Sequence, residues 1–222
     1  MKDELKIVNL YSPVNTIAAG LLQKGEYPWE LLPEIHDYIL ELGRNLSEEF
    51  FDHPEENVWI AKTAQVAPSA SITGPCIIDE HAKIRHCAFI RGNAIVGKGA
   101  VVGNSTELKN VILFDKVQVP HYNYVGDSIL GYCSHLGAGA ITSNVKSDKQ
   151  PVTVKYRGVA VPTGLKKFGA MVGDHVEVGC GSVLNPGTVV GKDSNIYPLS
   201  SVRGYVPAGS IYKKQGEVAK KF

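Results

Sequence analysis

One short stretch, residues 119–127, concentrates side chains that can move protons and form hydrogen bonds. Within it, His121 follows Pro120, whose fixed backbone φ angle restricts the chain and helps to orient the imidazole. A neutral imidazole accepts a proton near neutral pH, and a positioned base typically accelerates a reaction by about 10²–10⁴-fold. The stretch therefore predicts a general base at His121.

Two basic residues upstream could serve the same site. Arg91 supplies a planar fork of donors and Lys109 supplies a compact point charge. An anionic phosphate is best held by charge-assisted donors of these two kinds. Arg91 and Lys109 are therefore chemically suited to a phosphorylated ligand.

The element that must position these residues is visible as a repeat of six. Nine aliphatic residues stand six apart, namely Ile60, Val66, Ile72, Ile78, Ile84, Ile90, Val96, Val102 and Leu108. A small or short side chain follows four residues after each of the first eight. Neither the helix period of 3.6 nor the strand period of 2 produces this spacing. It is typical of the hexapeptide repeat of a parallel β-helix, with roughly 18 residues in each triangular coil and about seven coils.

The repeat then changes its step. From Leu108 onwards the aliphatic positions follow at intervals of five, six, six, five and six, and phase returns from Val172 to Val202. Residues 145–170 carry no repeat, so we predict an inserted loop between two blocks of one solenoid. Irregular places in a solenoid are where we expect functional side chains.

Composition excludes several classes of protein. A net charge of +1 gives no reason to expect nucleic acid or an acidic membrane as a partner. No apolar run approaches the ~20 residues of a membrane span, and no apolar signal-peptide core begins the chain. The four cysteines form no CxxC pair and are interpreted as structural filler, which predicts a reducing, cytoplasmic location.

Three segments are expected. Residues 1–56 lack the hexad and show helical spacing from Glu30 to Leu42, ending near Gly43, which predicts a helical cap or linker remnant over the first coil. Residues 57–206 form the β-helix with its inserted loop 145–170, and residues 207–222 form a C-terminal tail.

The motifs resemble a known family. Residues 121–127, His-Tyr-Asn-Tyr-Val-Gly-Asp, and residues 137–144, Gly-Ala-Gly-Ala-Ile-Thr-Ser-Asn, are similar to segments of the acetyltransferase domain of the bifunctional enzyme that makes UDP-N-acetylglucosamine, and of its archaeal relatives. Residues 103–109, Gly-Asn-Ser-Thr-Glu-Leu-Lys, match a third segment. The resemblance covers about residues 60–206, and the family's pyrophosphorylase half is absent from this chain.

The resemblance implies a left-handed β-helix and an acetyl-CoA-dependent N-acetyltransferase acting on an amino-sugar phosphate, most simply glucosamine 1-phosphate. It implies His121 as the base that deprotonates the sugar amine, and a homotrimer with sites between subunits. The implied sugar-binding residues are Arg91, Lys109, Tyr124, His135 and Lys149. The implied acetyl-CoA-binding residues are Ala138, Asn144, Val145 and Cys180. His135 stands where the family has Asn, and Gln150, beside Lys149, stands where it has a basic residue.

Other functions stay open on the residues alone. The acceptor could be another amino sugar or a nucleotide-linked sugar, or the chain could be a non-catalytic subunit that binds partners through flat solenoid faces. His81, His86, His121 and His135 also raise the zinc site of γ-carbonic anhydrases, but their spacing does not resemble that family's ligands. We therefore expect no metal.

Overall fold

The computed structural model describes residues 2–214 and 216–221, which form a parallel β-solenoid with three short strands in each coil. Each strand pairs in parallel with its equivalents one coil earlier and one coil later, so three ladders run the length of the molecule. We number the ladders as faces 1 to 3, in the order in which the chain visits them. The predicted parallel β-helix is confirmed.

Two strands cross a corner and therefore belong to two faces, β10 (Glu107–Leu113) and β12 (Tyr124–Leu130). Face 1 consists of β2 (Val58–Ala61), β5 (Cys76–Ile78), β8 (Ala94–Val96), the ends of β10 and β12, β17 (Ala170–Val172), β20 (Thr188–Val190) and β23 (Tyr205–Val206). Face 2 consists of β3 (Gln65–Val66), β6 (Lys83–Ile84), β9 (Val101–Asn104), β11 (Gln118–His121), β13 (His135–Leu136), β18 (Glu177–Val178), β21 (Asn195–Ile196) and β24 (Ser210–Lys214). Face 3 consists of β4 (Ser71–Ile72), β7 (Phe89–Ile90), the starts of β10 and β12, β14 (Ile141–Thr142), β19 (Val183–Leu184) and β22 (Ser201–Val202).

The other elements decorate this solenoid. The antiparallel strands are β1 (Phe51–Glu55) on β2, the hairpin β15 (Thr153–Tyr156) and β16 (Val159–Pro162), and β25 (Glu217–Lys220) on β24. The helices are α1 (Ile7–Leu10), α2 (Ala19–Leu22) and α3 (Ile35–Arg44), with 3-10 turns at Asp3–Leu5, Pro13–Asn15 and Pro28–Glu34. The hairpin lies inside the predicted insert, and part of the predicted C-terminal tail is paired strand. No helix among the described residues is long and apolar enough to cross a membrane.

The hexad fills the interior as predicted. Ile78, Ile84 and Ile90 are at most 2% exposed, because each strand turns its aliphatic residue inward while a small residue occupies the corner. Cys76 is also interior, and burial raises the pKa of its thiol to about 12. The filler interpretation is wrong for Cys87 and Cys180, which are free and exposed at corners.

The N-terminal helices lie elsewhere than predicted. The sequence predicts a cap over the first coil, but the Asp115 and Asp174 N–H groups donate to the carbonyls of Asn15 and Leu10, each at 3.0 Å. Helix α3 packs against β5, β8 and β10. The segment therefore runs along face 1 across several coils, while β1 covers the open edge of the first coil.

An apolar outer surface on face 1 explains this placement. Side chains on either side of an inward residue in a strand point outward, and on face 1 these outward positions are buried and apolar: Trp59, Ile77, Ile95, Ile112, Ile129, Met171 and Val189. The helical segment contributes Leu10, Tyr11, Leu32, Ile35 and Ile39 to the same apolar cluster. Covering this surface removes it from water, which stabilises the folded chain.

We expect Ile95→Ala to lower the free energy of unfolding by about 2–5 kcal/mol, because it truncates a fully buried side chain beneath the helical segment. Chemical denaturation measures the change. Val14→Ala is the control, since Val14 is 90% exposed and should be nearly neutral. Equal effects of the two substitutions would contradict the covered-face description.

Candidate functional site

His121 lies at the exposed corner between faces 2 and 3. The Tyr122 N–H donates to the Asn104 carbonyl, the Gly139 N–H to the His121 carbonyl and the Gly181 N–H to the Ala138 carbonyl. Asn104, His121, Ala138 and Cys180 therefore follow one another in successive coils. The structure thus brings His121, the predicted base, close to Ala138 and Cys180, two of the predicted acetyl-CoA-binding residues. We name these three residues the His121 corner.

A buried amide fixes this corner from inside. The Asn123 side chain accepts a hydrogen bond from the His121 N–H at 3.1 Å and donates to the carbonyls of Gly137 and Ala140, each at 2.9 Å. Asn123 is only 2% exposed, so these bonds replace hydration that the amide has lost. Our sequence reasoning missed this role, although an Asn at the small-residue position of the hexad was a signal.

A second group of residues surrounds Asp127 at the corner between faces 3 and 1. The Asp127 carboxylate accepts hydrogen bonds from Asn144 and, at 3.0 Å, from Asn110, and pairs with the Lys109 ammonium at 3.5 Å. Asn144 also donates to the Tyr124 hydroxyl at 3.2 Å. We name these five residues the Asp127 cluster. The structure thus joins the predicted residues Lys109, Tyr124 and Asn144 through a carboxylate that our sequence reasoning did not assign.

Arg91 lies on the same column, one coil before Lys109. One nitrogen of its guanidinium donates to Glu107 at 2.6 Å, and Glu107 pairs in register with Tyr124. The pair is partly exposed, so it orients the guanidinium more than it stabilises the fold. The remaining donors of the fork are left for an anion. Burial raises the pKa of the Tyr124 hydroxyl above its usual value, which keeps it neutral as a hydrogen-bonding group.

The irregular step of the repeat creates this corner. Leu108 to Leu113 and Val125 to Leu130 are the two steps of five, so β10 and β12 run through the corner with one turn residue fewer. Asn110 and Asp127 take left-handed φ angles of 54° and 47° there, which Asn and Asp tolerate better than most residues.

The N-terminal segment and the insert brace the Asp127 cluster. Asn110 donates to the Leu32 carbonyl at 3.3 Å, and the Phe168 N–H donates to the Asn144 carbonyl at 3.0 Å. The Trp29 ring stacks on Phe168 with centroids 5.9 Å apart. Elements far apart in sequence therefore hold the two amides that orient Asp127.

Two concave regions adjoin these residues. On face 2 a groove of about 480 Å³ is lined by His135, Glu177, Cys180, Asn195 and Tyr197, among others. His135 Nδ1 lies 2.8 Å from a Glu177 carboxylate oxygen. Between the insert and the coils, a cavity of about 380 Å³ is lined by Val145, Lys146, Asp148, Lys155 and Arg203, among others.

Two of the predicted residues stand somewhat apart. Val145 lines the cavity beside the insert, next to Asn144 in the chain. Lys149 lies in an exposed turn closed by its own N–H and the Lys146 carbonyl, and it lines neither concave region. The described residues contain no group of three or more His, Cys, Asp or Glu placed to hold a metal ion.

Comparisons with known proteins agree with the motifs. The family model of the GMPPB C-terminal domain matches residues 72–165. The chain is 35% identical over 213 residues to the "Bifunctional protein GlmU" of Methanococcus vannielii, which covers 87% of this chain and 47% of that protein. The chain is similar to the GlmU proteins over most of its own length. The resemblance predicted from the sequence is thereby confirmed.

Two further similarities refine this result. The "Bifunctional sugar-1-phosphate nucleotidylyltransferase/acetyltransferase" of Sulfurisphaera tokodaii is 29% identical over 70% of this chain and 43% of that protein. The "Uncharacterized acetyltransferase YaiX" of Escherichia coli is 28% identical over 84% of this chain and 87% of that protein. The chain spans about half the length of the bifunctional proteins that it matches.

We expect Asn123→Ala to lower the free energy of unfolding by about 1–3 kcal/mol, because it removes two buried hydrogen bonds to the Gly137 and Ala140 carbonyls and the acceptor of the His121 N–H. Ser134→Ala is the matched control, since Ser134 is a buried polar residue on the other side of face 2 whose hydroxyl has no hydrogen-bond partner among the described residues. Its removal should be neutral or stabilising in the same denaturation experiment. A loss at Ser134 as large as that at Asn123 would contradict this assignment.

Proposed function

We propose that this protein is an acetyl-CoA-dependent N-acetyltransferase acting on an amino-sugar phosphate, with glucosamine 1-phosphate as the first candidate. The observation that carries the proposal is the presence, on one chain, of an exposed imidazole beside Ala138 and Cys180 and of two carboxylate-held cations, Arg91 and Lys109, near Tyr124. The first arrangement suits proton removal next to a thioester, and the second suits a sugar phosphate. The acetyltransferases named among the relatives support the same reaction.

The chemistry at the His121 corner follows from the acceptor. A neutral amine attacks the thioester carbonyl, a nitrogen–carbon bond forms, and the carbon–sulfur bond breaks. His121 takes a proton from the attacking nitrogen and returns it to the sulfur of the departing coenzyme A. Ala138 has no side chain beyond Cβ, and its exposed position leaves room for the thioester beside the imidazole.

The acceptor phosphate is assigned to Arg91 and Lys109. Both cations have a carboxylate partner, Glu107 and Asp127 respectively, which holds them in place before a ligand arrives. A dianionic phosphate can share both cations through charge-assisted hydrogen bonds. Tyr124 would then contact the sugar and Asn144 would contact the acetyl donor, between the phosphate site and His121.

Acetyl-CoA is assigned to the side of the coils that follows His121. Ala138 and Cys180 would border its reactive end, and Asn144 and Val145 its path beside the insert. All four cysteines are free, which fits the reducing cytoplasm in which we place the reaction. We keep the division into residues 1–56, 57–206 and 207–222 as part of the proposal.

A homotrimer would complete the site. His135 projects from face 2 and Tyr124 from face 3, since their neighbours Leu136 and Val125 are buried inside. Neighbouring faces of a triangular coil point away from each other, so groups on the two faces do not converge within one chain. Closed symmetry lets face 2 of one copy meet face 3 of the next.

His121→Ala should lower the rate of acetyl transfer by about 10²–10⁴-fold while the fold stays intact, because an exposed side chain that only moves a proton is removed. Thiol release from acetyl-CoA with glucosamine 1-phosphate measures the rate. His86→Ala is the matched control, since His86 occupies the same corner two coils earlier and should leave the rate unchanged. A His121→Ala protein with a near wild-type rate would overturn the assignment of the base.

Arg91→Ala and Lys109→Ala should raise the KM for the sugar phosphate at least tenfold and leave the KM for acetyl-CoA nearly unchanged, because each removes a charged phosphate donor. Steady-state kinetics with both substrates varied separates the two constants. Lys98→Ala is the control, a partly exposed lysine paired with Glu80 at another corner. Equal losses for glucosamine and glucosamine 1-phosphate would show that these residues do not bind phosphate.

A further inference from the structure

His135, for which the family resemblance implies only a contact with the sugar, forms a histidine–carboxylate pair with Glu177 on face 2. His135 and Glu177 lie directly opposite each other on the neighbouring strands β13 and β18. Their side chains are 36% and 52% exposed, and both line the groove of about 480 Å³. The pair is therefore open to a ligand while its two members hold each other in place.

The contact determines which nitrogen of His135 is available. At 2.8 Å, Nδ1–H donates to the Glu177 carboxylate, since an unprotonated Nδ1 would place two acceptors together. In the neutral ring Nε2 then carries the lone pair. A carboxylate behind an imidazole also stabilises the positive charge that forms when the ring accepts a proton, as in hydrolytic triads. This is the arrangement of an oriented base.

The groove places this base near the transfer centre. Its lining extends from His135 through Gly137 to Cys180 and Pro198, and so reaches the His121 corner. His135 and Ala138 are three residues apart and the chain turns at Ala138, so their backbones are separated by at most about 10 Å. An amino sugar held between the two histidines could face both.

The proposed reaction releases one proton that His121 does not carry to sulfur. An amino sugar is an ammonium ion near neutral pH, so its nitrogen must lose one proton before the attack and another after it. Only the second proton ends on the sulfur of coenzyme A, and the first must leave to solvent. A single imidazole at His121 accounts for the second transfer only.

We propose that His135, oriented by Glu177, removes the first proton from the bound ammonium and releases it to solvent, before His121 moves the second proton from nitrogen to sulfur. His135 becomes an imidazolium in the first step and is restored when that proton leaves, so the sum is amide, free thiol and one proton. This inference rests on the proposed N-acetyltransferase function. It gives Glu177 the part of a positioning residue.

The surroundings contain few other groups that could titrate in its place. Opposite His135 on β11 stands the uncharged Gln118, and on β18 stands Glu177. Among the described residues that line the groove, the other titratable side chains are Cys180 and Tyr197, and Asn195 is uncharged. A change in the acid side of the rate profile on substitution of His135 would therefore report on the pair.

The test is the pH dependence of kcat/KM for glucosamine 1-phosphate, measured by thiol release, in wild type, His135→Asn, Glu177→Gln and His121→Ala. His135→Asn should lose at least tenfold at pH 7, because only the small neutral fraction of the amine can react. Its rate should recover towards wild type as rising pH deprotonates the amine in solution. Glu177→Gln should show the same change to a smaller extent, and His121→Ala should stay low at every pH.

The outcomes separate this inference from the function on which it rests. A His135→Asn profile equal to wild type, or a loss that is the same at all pH values, would overturn the role of the pair while acetyl transfer by wild type still stands. If wild type releases no thiol with any amino-sugar phosphate, the proposed function fails, and the inference fails with it. Circular dichroism melts of the variants show that the fold is retained.

Discussion

The stacking register of the coils is the constraint on which the rest of the structure depends. Parallel pairing repeats at about 4.8 Å, and each coil consumes 16 to 18 residues unless a loop is inserted. Residues one coil apart are therefore neighbours whatever their types. This rule places Arg91 beside Lys109 and His121 beside Ala138, and it makes the outer surface a set of columns in which chemistry can be assembled.

Much of the fold was predictable because the residues that fill the interior recur with the period of the coils. A residue that must fill a coil recurs every six positions, and Ile78, Ile84 and Ile90 are buried accordingly. The covered face was also visible, although it was missed. On face 1 the residue before each interior aliphatic is apolar. On the other two faces this position is mixed, with charged residues such as Lys83 on face 2 and Glu107 on face 3. Reading the hexads in threes would have predicted a partner lying along face 1.

The site was predictable in its members and less so in its connections. The structure places Arg91, Lys109, Tyr124 and Asn144 in neighbouring coils, because short motifs in a solenoid translate directly into columns. Asp127 connects the other members of its cluster through side-chain hydrogen bonds between three coils, and no spacing rule predicts such bonds. The same holds for the bracing contacts. The Glu4 carboxylate accepts hydrogen bonds from the Tyr156 hydroxyl at 2.6 Å and from the Arg157 guanidinium at 2.9 Å, and these bonds connect the N-terminal segment to the inserted hairpin.

The proposed base and the proposed phosphate donors lie on adjacent faces that point apart within one chain, so the proposed function needs a site shared by two copies. The most direct measurement mixes two variants, His121→Ala and a chain carrying both Arg91→Ala and Lys109→Ala, by co-expression. Each alone should be nearly inactive with glucosamine 1-phosphate. The co-expressed population should regain about one quarter of the wild-type rate, because random assembly in equal amounts pairs an intact face 2 with an intact face 3 at that frequency. Mixed assemblies no more active than the separate variants would contradict the shared site.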